Sequence, residues 1–230
     1  MWIEEFKKQN IVAVLTDSNT GRGIEDAIKT IEKIMEKELN VYAEKGRIGK
    51  KIKAMVLGIP NVGKSSFINR ISKKASAGVG NKPGVTKQKQ WIRVNDKIEL
   101  LDTPGVLWPK FESEEVALNL AFTGTIKDDI LERTEIAYHL VRFLIENYKD
   151  KLCERYKLNV NEVDKILRNE NQEENEKIYE VFLAIGRKRG CIIAGGNVDE
   201  EKTARILLEE FKNGKIGKIT LENVKGVINK

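Results

Sequence analysis

Near the N-terminus, segments of continuous apolar residues alternate with segments in which apolar residues recur at helical spacing. Residues 10–16 are a continuous apolar run, typical of a buried strand in a parallel sheet. After a polar loop at 17–23, apolar residues recur at helical spacing from Ile24 to Leu39. A second apolar run at 53–57 predicts another buried strand, followed by a second amphipathic helix. Two strand–loop–helix units in succession predict an α/β fold.

A β-hairpin is predicted after the second helix. Residues 88–94 alternate in polarity, 95–96 are turn-forming residues, and 98–101 are largely apolar. The second strand of this hairpin ends at Asp102. The preceding stretch, 75–89, is rich in glycine and lysine and predicts a mobile loop.

Beyond Phe111 the apolar residues follow helical spacing. The predicted helical segments are 114–123, 126–156, 161–167, 174–186 and 199–211. We therefore place a domain boundary near residue 112, with an α/β domain at 1–111 and an all-helical domain with a basic tail at 112–230. The apolar and aromatic side chains between 136 and 148 are interpreted as core.

Composition limits the class of protein only in part. The 230 residues contain no run of eighteen apolar residues, which predicts a soluble cytoplasmic protein of one or two domains. Lys and Arg outnumber Asp and Glu by 41 to 35, which allows a polyanionic partner or, equally, a heat-adapted surface rich in ion pairs. The basic connector at 45–53 is interpreted as a solvated face. Cys153, Cys191 and the single histidine, His139, predict neither a disulfide scaffold nor a zinc site.

The strongest chemical signal is the sequence Gly-Ile-Pro-Asn-Val-Gly-Lys-Ser-Ser at 58–66, between a strand and a helix. It is a phosphate-binding loop whose backbone N–H groups, with Lys64, surround phosphate oxygens while the Ser65 hydroxyl binds Mg²⁺. The sequence therefore predicts a nucleoside triphosphate site. Its predicted binding residues are Gly58, Asn61, Val62, Gly63, Lys64, Ser65 and Ser66.

A phosphate loop alone leaves ATPases, kinases and GTPases open, and later residues narrow the choice. Asp102 begins an Asp-Thr-Pro-Gly motif whose carboxylate can hold a magnesium-bound water, and the Gly105 N–H can bond a γ-phosphate. Thr86 can add a hydroxyl to the same metal. With Lys64 and Ser65, these residues are the parts of a switch GTPase.

Short motifs along the whole chain carry a resemblance. They are GIPNVGKSS (58–66), KPGVT (82–86), LLDTPGVLWPKF (100–111), GTIKD (124–128), RKRGC (187–191) and GKIGK (214–218). Together they resemble the YlqF/RbgA family of circularly permuted GTPases. The resemblance implies a P-loop GTPase domain in which guanine-reading motifs precede the phosphate loop, followed by an all-helical domain.

The same resemblance implies a function and further site residues. The family hydrolyses GTP during assembly of the large ribosomal subunit, and its helical domain contacts ribosomal RNA. The loop at 17–23 matches the family's last guanine-contacting loop, which implies that the Ser18 N–H approaches the guanine oxygen. The implied RNA-phosphate contacts are Arg187, Lys188, Arg189, Lys215 and Lys218.

The chain also departs from the family pattern. The Asn-Lys-x-Asp guanine-specificity motif and an N-terminal histidine linked to hydrolysis are both missing, and residues 81–84 lack the carboxylate needed to substitute for that motif. A strand at 10–16 would also lack its neighbours. We interpret the GTPase domain as incomplete at its N-terminus, through a shortened reading frame, a trimmed chain, or a split gene whose other product supplies the segment. Weak nucleotide affinity and poor stability are expected.

The water-orienting glutamine of many GTPases is replaced by Val106, which cannot position water. Asn61 matches a position that recruits K⁺ in related enzymes, or it simply shapes the loop. The predicted catalytic residues are Lys64, Thr86, Gly105 and Asn61, and the predicted Mg²⁺ ligands are Ser65, Thr86 and Asp102. An RNA-binding remnant with a decayed nucleotide site, one half of a split GTPase, and an unrelated ATPase remain as alternatives.

Overall fold

The structure, a computed structural model, describes residues 1–75, 90–103, 113–126 and 133–222. The chain divides into two compact units, one containing the described residues up to 103 and the other those from 113 to 222. Most of the predicted mobile loop and the predicted boundary at residue 112 lie outside the described residues.

The first unit is a small mixed sheet with helices. Its elements are α1 (Trp2–Lys8), α2 (Ile24–Glu44), β1 (Ile52–Val56), α3 (Lys64–Ala75), β2 (Gln90–Arg93) and β3 (Ile98–Asp102). The strand order is β1-β3-β2, with β1 parallel and β2 antiparallel to β3. The predicted hairpin is confirmed, and its turn is held by the Asn95 side chain, which accepts from the N–H groups of Lys97 and Ile98 at 2.8 Å.

The core of this unit lies on one face of the sheet. Ile24 of α2 and Ile71 of α3 pack with Ile52, Ile98 and Leu100 of the strands. The other face is different: Met55 and Trp91, both register partners of Leu101, are 55% and 50% exposed. The strand predicted at 53–57 is therefore confirmed as β1, but the prediction that it is buried is wrong for alternate residues, because the helices of the described residues cover only every second side chain of β1.

The prediction of a buried strand at 10–16 is also wrong. Asn10 lies in the turn that ends α1: it has a left-handed φ of 57°, and the N–H of Ile11 donates to Phe6 O at 2.8 Å, as at a typical helix C-terminus. Val12 and Leu15 are 63% and 76% exposed. No strand among the described residues pairs with this segment, so its backbone forms no ladder despite the apolar sequence.

The second unit confirms the predicted helices where the structure describes them, and residues 127–132 of the predicted 126–156 helix lie outside the described residues. The helices are α4 (Glu114–Phe122), α5 (Arg133–Tyr156, with non-helical dihedral angles at Tyr148), α6 (Val160–Leu167), α7 (Glu174–Lys188) and α8 (Glu200–Lys212). All five contribute to one core, in which Leu140 of α5 and Phe182 of α7 are fully buried. Cys153 and Cys191 are buried, free thiols, and His139 is half-buried. Among the helices that are described, none combines the length and apolar character needed to cross a membrane.

Candidate nucleotide-binding site

The phosphate loop joins the end of β1 to the start of α3. Asn61 and Gly63 both have left-handed backbones, with φ of 61° and 93°. A Cβ on Gly63 would meet nothing within 4 Å, so the backbone angle rather than space requires glycine there. Helix α3 begins at Lys64, which leaves the N–H groups of its first turn at the positive end of the helix. This is the geometry of an anion site.

Lys64 spans the loop. Its ammonium donates to the backbone oxygens of Gly58 at 3.0 Å and Ile59 at 2.7 Å. Both acceptors belong to the loop itself, so the positive charge of Lys64 is held against the loop backbone. Val62, Ser65 and Ser66 are exposed at the same place. The predicted phosphate-contacting residues therefore lie together on one accessible loop.

Sheet register brings Asp102 to this loop. Asp102 is the register partner of Val56, two residues before Gly58, and is only 2% exposed. The hydroxyl of the next residue, Thr103, donates to Val56 O and ties the two strand ends together. Sequence reasoning predicted Asp102 but not the contribution of Thr103.

The donors at this position suit Mg²⁺. Asp102 offers a buried carboxylate and Ser65 a hydroxyl, both hard oxygen ligands, whereas no cluster of three or more His, Cys, Asp or Glu side chains occurs in the described ranges. Mg²⁺ in nucleotide sites is typically bound by one or two protein oxygens together with phosphates and water. The residues present therefore fit magnesium held jointly with a nucleotide.

The loop at 17–23 is held by its own hydrogen bonds. Asp17 Oδ1 accepts from the N–H groups of Asn19 at 2.8 Å and Thr20 at 3.2 Å. The Asp17 N–H donates to Arg22 O at 2.9 Å. Hydrogen bonds from the Thr20 hydroxyl and from these backbone groups lower the pKa of Asp17, and the positive charge of Arg70 adds to the effect.

Two features of this loop escaped sequence reasoning. Gly23 is required sterically, because its φ is 75° and a Cβ there would lie 1.9 Å from Leu15 O. Arg70 of α3 donates from Nε to Ser18 O at 2.7 Å and from its guanidinium to Asn19 O. No sequence pattern indicates that contact, since the two partners are more than fifty residues apart.

Ser18 stands out within the loop. The N–H groups of Asp17, Asn19, Thr20, Gly21 and Arg22 all donate to groups of the same loop. The Ser18 N–H donates to no other group in the described part of the chain, and the residue is half-exposed. The contact with the guanine oxygen that the family resemblance implies for Ser18 requires an available donor at this position.

Not every predicted site residue can be located. Thr86, Gly105 and Val106 lie outside the described residues, so their roles remain predictions. Asn61 lies on the phosphate loop and is exposed. Its left-handed backbone is compatible with loop shaping and equally with an ion contact.

Of the five predicted RNA contacts, four are exposed and one is engaged elsewhere. Arg187, Lys188, Lys215 and Lys218 are exposed. Arg189 instead donates to Glu210 at 2.7 Å and lies over the Tyr156 ring at 4.9 Å. We therefore describe Arg189 as part of the helical unit's packing, since its charge is already paired.

Comparison with known proteins agrees with this geometry. Residues 53–184 match the family model described as 50S ribosome-binding GTPase. The chain is 42% identical over 223 residues to Ribosome biogenesis GTPase A of Priestia megaterium, covering 96% of this chain and 73% of that protein. It is 41% identical over 221 residues to the protein of the same name from Bacillus cereus, covering 96% and 70%.

Solved structures show the same fold. The GDP-bound structure of TM YlqF matches with a TM-score of 0.57 and 22% identity, over 97% of this chain and 76% of that one. The GNP-bound YlqF from T. maritima matches with a TM-score of 0.55 and 23% identity, over 96% and 73%. The P-loop fold and the permuted order, with α2 preceding the phosphate loop, are thus confirmed. The chain belongs to the YlqF/RbgA family of 50S ribosome-binding GTPases.

Proposed function

We propose that the chain binds GTP and hydrolyses it to GDP and phosphate during assembly of the large ribosomal subunit. The observation that supports nucleotide binding is the register of β1 and β3, because it brings the buried Asp102 to the end of the strand that leads into the phosphate loop. The name shared by the relatives, Ribosome biogenesis GTPase A, supports the ribosomal part.

Each loop residue has a distinct role in this proposal. Lys64 and the backbone N–H groups of α3's first turn bind the β- and γ-phosphates, in place of the lysine's present bonds to Gly58 and Ile59. Ser65, Asp102 and Thr86 would hold Mg²⁺, which neutralises charge developing on the phosphates. The Gly105 N–H would bond the γ-phosphate.

Hydrolysis without a glutamine needs another source of positive charge or water orientation. We propose that Asn61 helps to hold K⁺ beside the transferred phosphoryl group. Its place on the exposed loop supports this role. Phosphate release at equal concentrations of KCl and NaCl tests it: a clearly faster rate in K⁺ is expected, and equal rates would leave Asn61 as a loop-shaping residue.

Recognition of guanine in this proposal involves the 17–23 loop. The Ser18 N–H would donate to the guanine oxygen, as the family resemblance implies. Competition between GTP and ATP for binding decides the point. Equal competition would favour the alternative of a phosphate-loop ATPase.

The ribosomal partner would be contacted through the exposed cations of the helical unit. Arg187, Lys188, Lys215 and Lys218 are the proposed contacts to rRNA phosphates. An affinity for ribosomal particles that falls steeply with salt is the expected signature.

The central experiment measures phosphate release from GTP in the presence of large-subunit particles. We expect Lys64→Ala to lower the rate on the order of 100-fold, because it removes a preorganised charge on the transferred phosphate. Lys37→Ala, at an exposed position of α2, is the matched control and should leave the rate unchanged. Particle binding without phosphate release by the unaltered chain would instead identify an RNA-binding remnant.

A further inference from the structure

Arg70 forms a direct link between the two loops of the proposed nucleotide site. It lies on α3, the helix that starts at Lys64 of the phosphate loop. Its Nε donates to Ser18 O at 2.7 Å, and its guanidinium also donates to Asn19 O. One side chain of the phosphate-loop helix therefore bonds two consecutive carbonyls of the 17–23 loop.

The side chain's stem reinforces this link. Gly21 has a φ of 84°, and a Cβ built there would lie 3.5 Å from Arg70 Cδ, an ordinary packing distance. The loop therefore rests against the arginine's methylene groups as well as its charge. A planar guanidinium fixes direction as well as distance, whereas an ammonium group does not.

The bonds fix a specific part of the loop. Arg70 donates a hydrogen bond to the carbonyl oxygen of Ser18, and the Asp17 side chain accepts hydrogen bonds from the N–H groups of Asn19 and Thr20. Both peptide planes that follow Ser18 are thereby oriented. The Ser18 N–H remains available for a ligand in the described part of the chain.

We infer that Arg70 is a positioning residue that couples the phosphate-loop helix to the 17–23 loop, so that the Ser18 N–H is held at a fixed place relative to the bound phosphates. This inference rests on the proposed function, because it assigns the Ser18 N–H to the nucleotide base. It predicts that Arg70 affects only ligands that carry a base.

The test compares Arg70→Lys with Arg93→Lys, a matched control on the exposed hairpin of the same unit. Amide hydrogen exchange is measured over residues 17–23 and over α3, and the affinities for Mg–GDP and Mg–pyrophosphate are measured separately. For Arg70→Lys we expect exchange of the loop amides to rise about tenfold with α3 unchanged, because a charge-assisted bond is lost. GDP affinity should fall about tenfold while pyrophosphate affinity stays within about twofold. Arg93→Lys should change none of these.

Three results would overturn the inference. The first is unchanged loop exchange, which would remove the coupling. The second is an equal loss of GDP and pyrophosphate affinity, which would place the effect on the phosphate loop itself. The third is faster loop exchange with unchanged GDP affinity, which would show that Ser18 does not serve the base. If the unaltered chain bound neither ligand, the proposed function would be what failed, and the exchange data alone would decide whether Arg70 orders the loop.

Discussion

The two units of this chain bury their apolar side chains to different extents. In the helical unit all five helices contribute to one core, with Leu140 and Phe182 fully buried. In the nucleotide unit the core lies on a single face of the sheet, and Met55, Leu57 and Trp91 remain half or more exposed. Hydrophobic burial is the main favourable term in folding. The helical unit should therefore be the more stable of the two.

The two regions also differ in net charge. In the sequence, Lys and Arg outnumber Asp and Glu up to residue 108, whereas acids outnumber bases between 109 and 223. The overall positive charge of +6 thus comes from the nucleotide unit and not from the region proposed to contact RNA. Any RNA contact by the helical unit must depend on local groups of cations and not on its net charge.

A matched pair of Leu→Ala substitutions gives the largest expected contrast. Leu140→Ala in the helical core should destabilise that unit by about 3 kcal/mol, through lost burial and the cavity left behind. Leu57→Ala, at a side chain that is 68% exposed, should cost less than about 1 kcal/mol. Urea unfolding can assign each effect, because all three tryptophans, Trp2, Trp91 and Trp108, precede residue 109.

Tryptophan fluorescence therefore reports on the first region, whereas far-UV circular dichroism reports on the helices of both units, and most of the described helical residues lie in the helical unit. Leu140→Ala should shift the dichroism transition and leave the fluorescence transition in place. A loss for Leu57→Ala as large as that for Leu140→Ala would contradict the description of Leu57, the residue that follows β1, as an exposed side chain.

The second contrast concerns a buried charge in the helical unit. Glu210 is 9% exposed and accepts from Arg155 at 2.8 Å and Arg189 at 2.7 Å. Burial raises the pKa of Glu210, but the hydrogen bonds from the two arginines lower it more, and the net shift is downward. Glu210→Gln should destabilise the unit by about 2 kcal/mol, since two partly buried arginines lose their counter-charge. Glu209→Gln, its exposed neighbour on α8, is the matched control.

The pH dependence follows from the sign of that shift. A carboxylate with a lowered folded-state pKa contributes stability above its unfolded pKa of about 4.3, and that contribution is lost as the pH falls through the folded value. The difference between the unaltered chain and Glu210→Gln should stay constant from about pH 8 to pH 5 and shrink below about pH 4. A difference that grew on acidification would contradict this account.

Sequence periodicity predicted the helical unit better than the sheet. The helical spacing from 114 to 211 marks elements that bury one stripe each, and the structure confirms them. A continuous apolar run carries no such directional information. The same kind of run gave a one-sided strand at 52–56 and no strand at 10–16, because strand formation requires a partner that the run itself does not specify.

The residues of the candidate site likewise divide into those that the sequence predicted and those that it did not. The phosphate loop and Asp102 were predicted because their roles follow from residue type and local context. Arg70 and Thr103 were missed because both act on backbone oxygens of distant segments, and any donor side chain could do so. The availability of the Ser18 N–H likewise depends on which neighbours Asp17 bonds, which only the structure shows.

A third, smaller effect concerns the hydrogen bonds that order the 17–23 loop of the nucleotide unit. With little apolar burial at 17–23, the charged acceptor Asp17 should supply much of the order. Asp17→Asn should lower the exchange protection of the Asn19 and Thr20 amides several-fold, since a neutral acceptor is about half as strong. Asp96→Asn, in the exposed hairpin turn, is the control.

Acid should reproduce that loss in the unaltered chain. Because the folded pKa of Asp17 is lowered, protection should persist below the ordinary value of about 3.9 and then converge on that of the asparagine variant. Equal protection in both proteins at neutral pH would indicate that the loop is ordered by Arg70 alone.

The smallest expected effect tests the charge contrast between the regions. Lys188→Gln should weaken binding to large-subunit particles about threefold and reduce the slope of log affinity against log salt by about 0.7–0.9, because one phosphate contact is lost. Lys45→Gln, in the basic connector interpreted as a solvated face, should leave that slope unchanged. Both side chains are exposed, so neither change should alter the fold. If Lys45 rather than Lys188 changed the slope, RNA binding would belong to the basic nucleotide unit, and the acidic helical unit would serve another purpose.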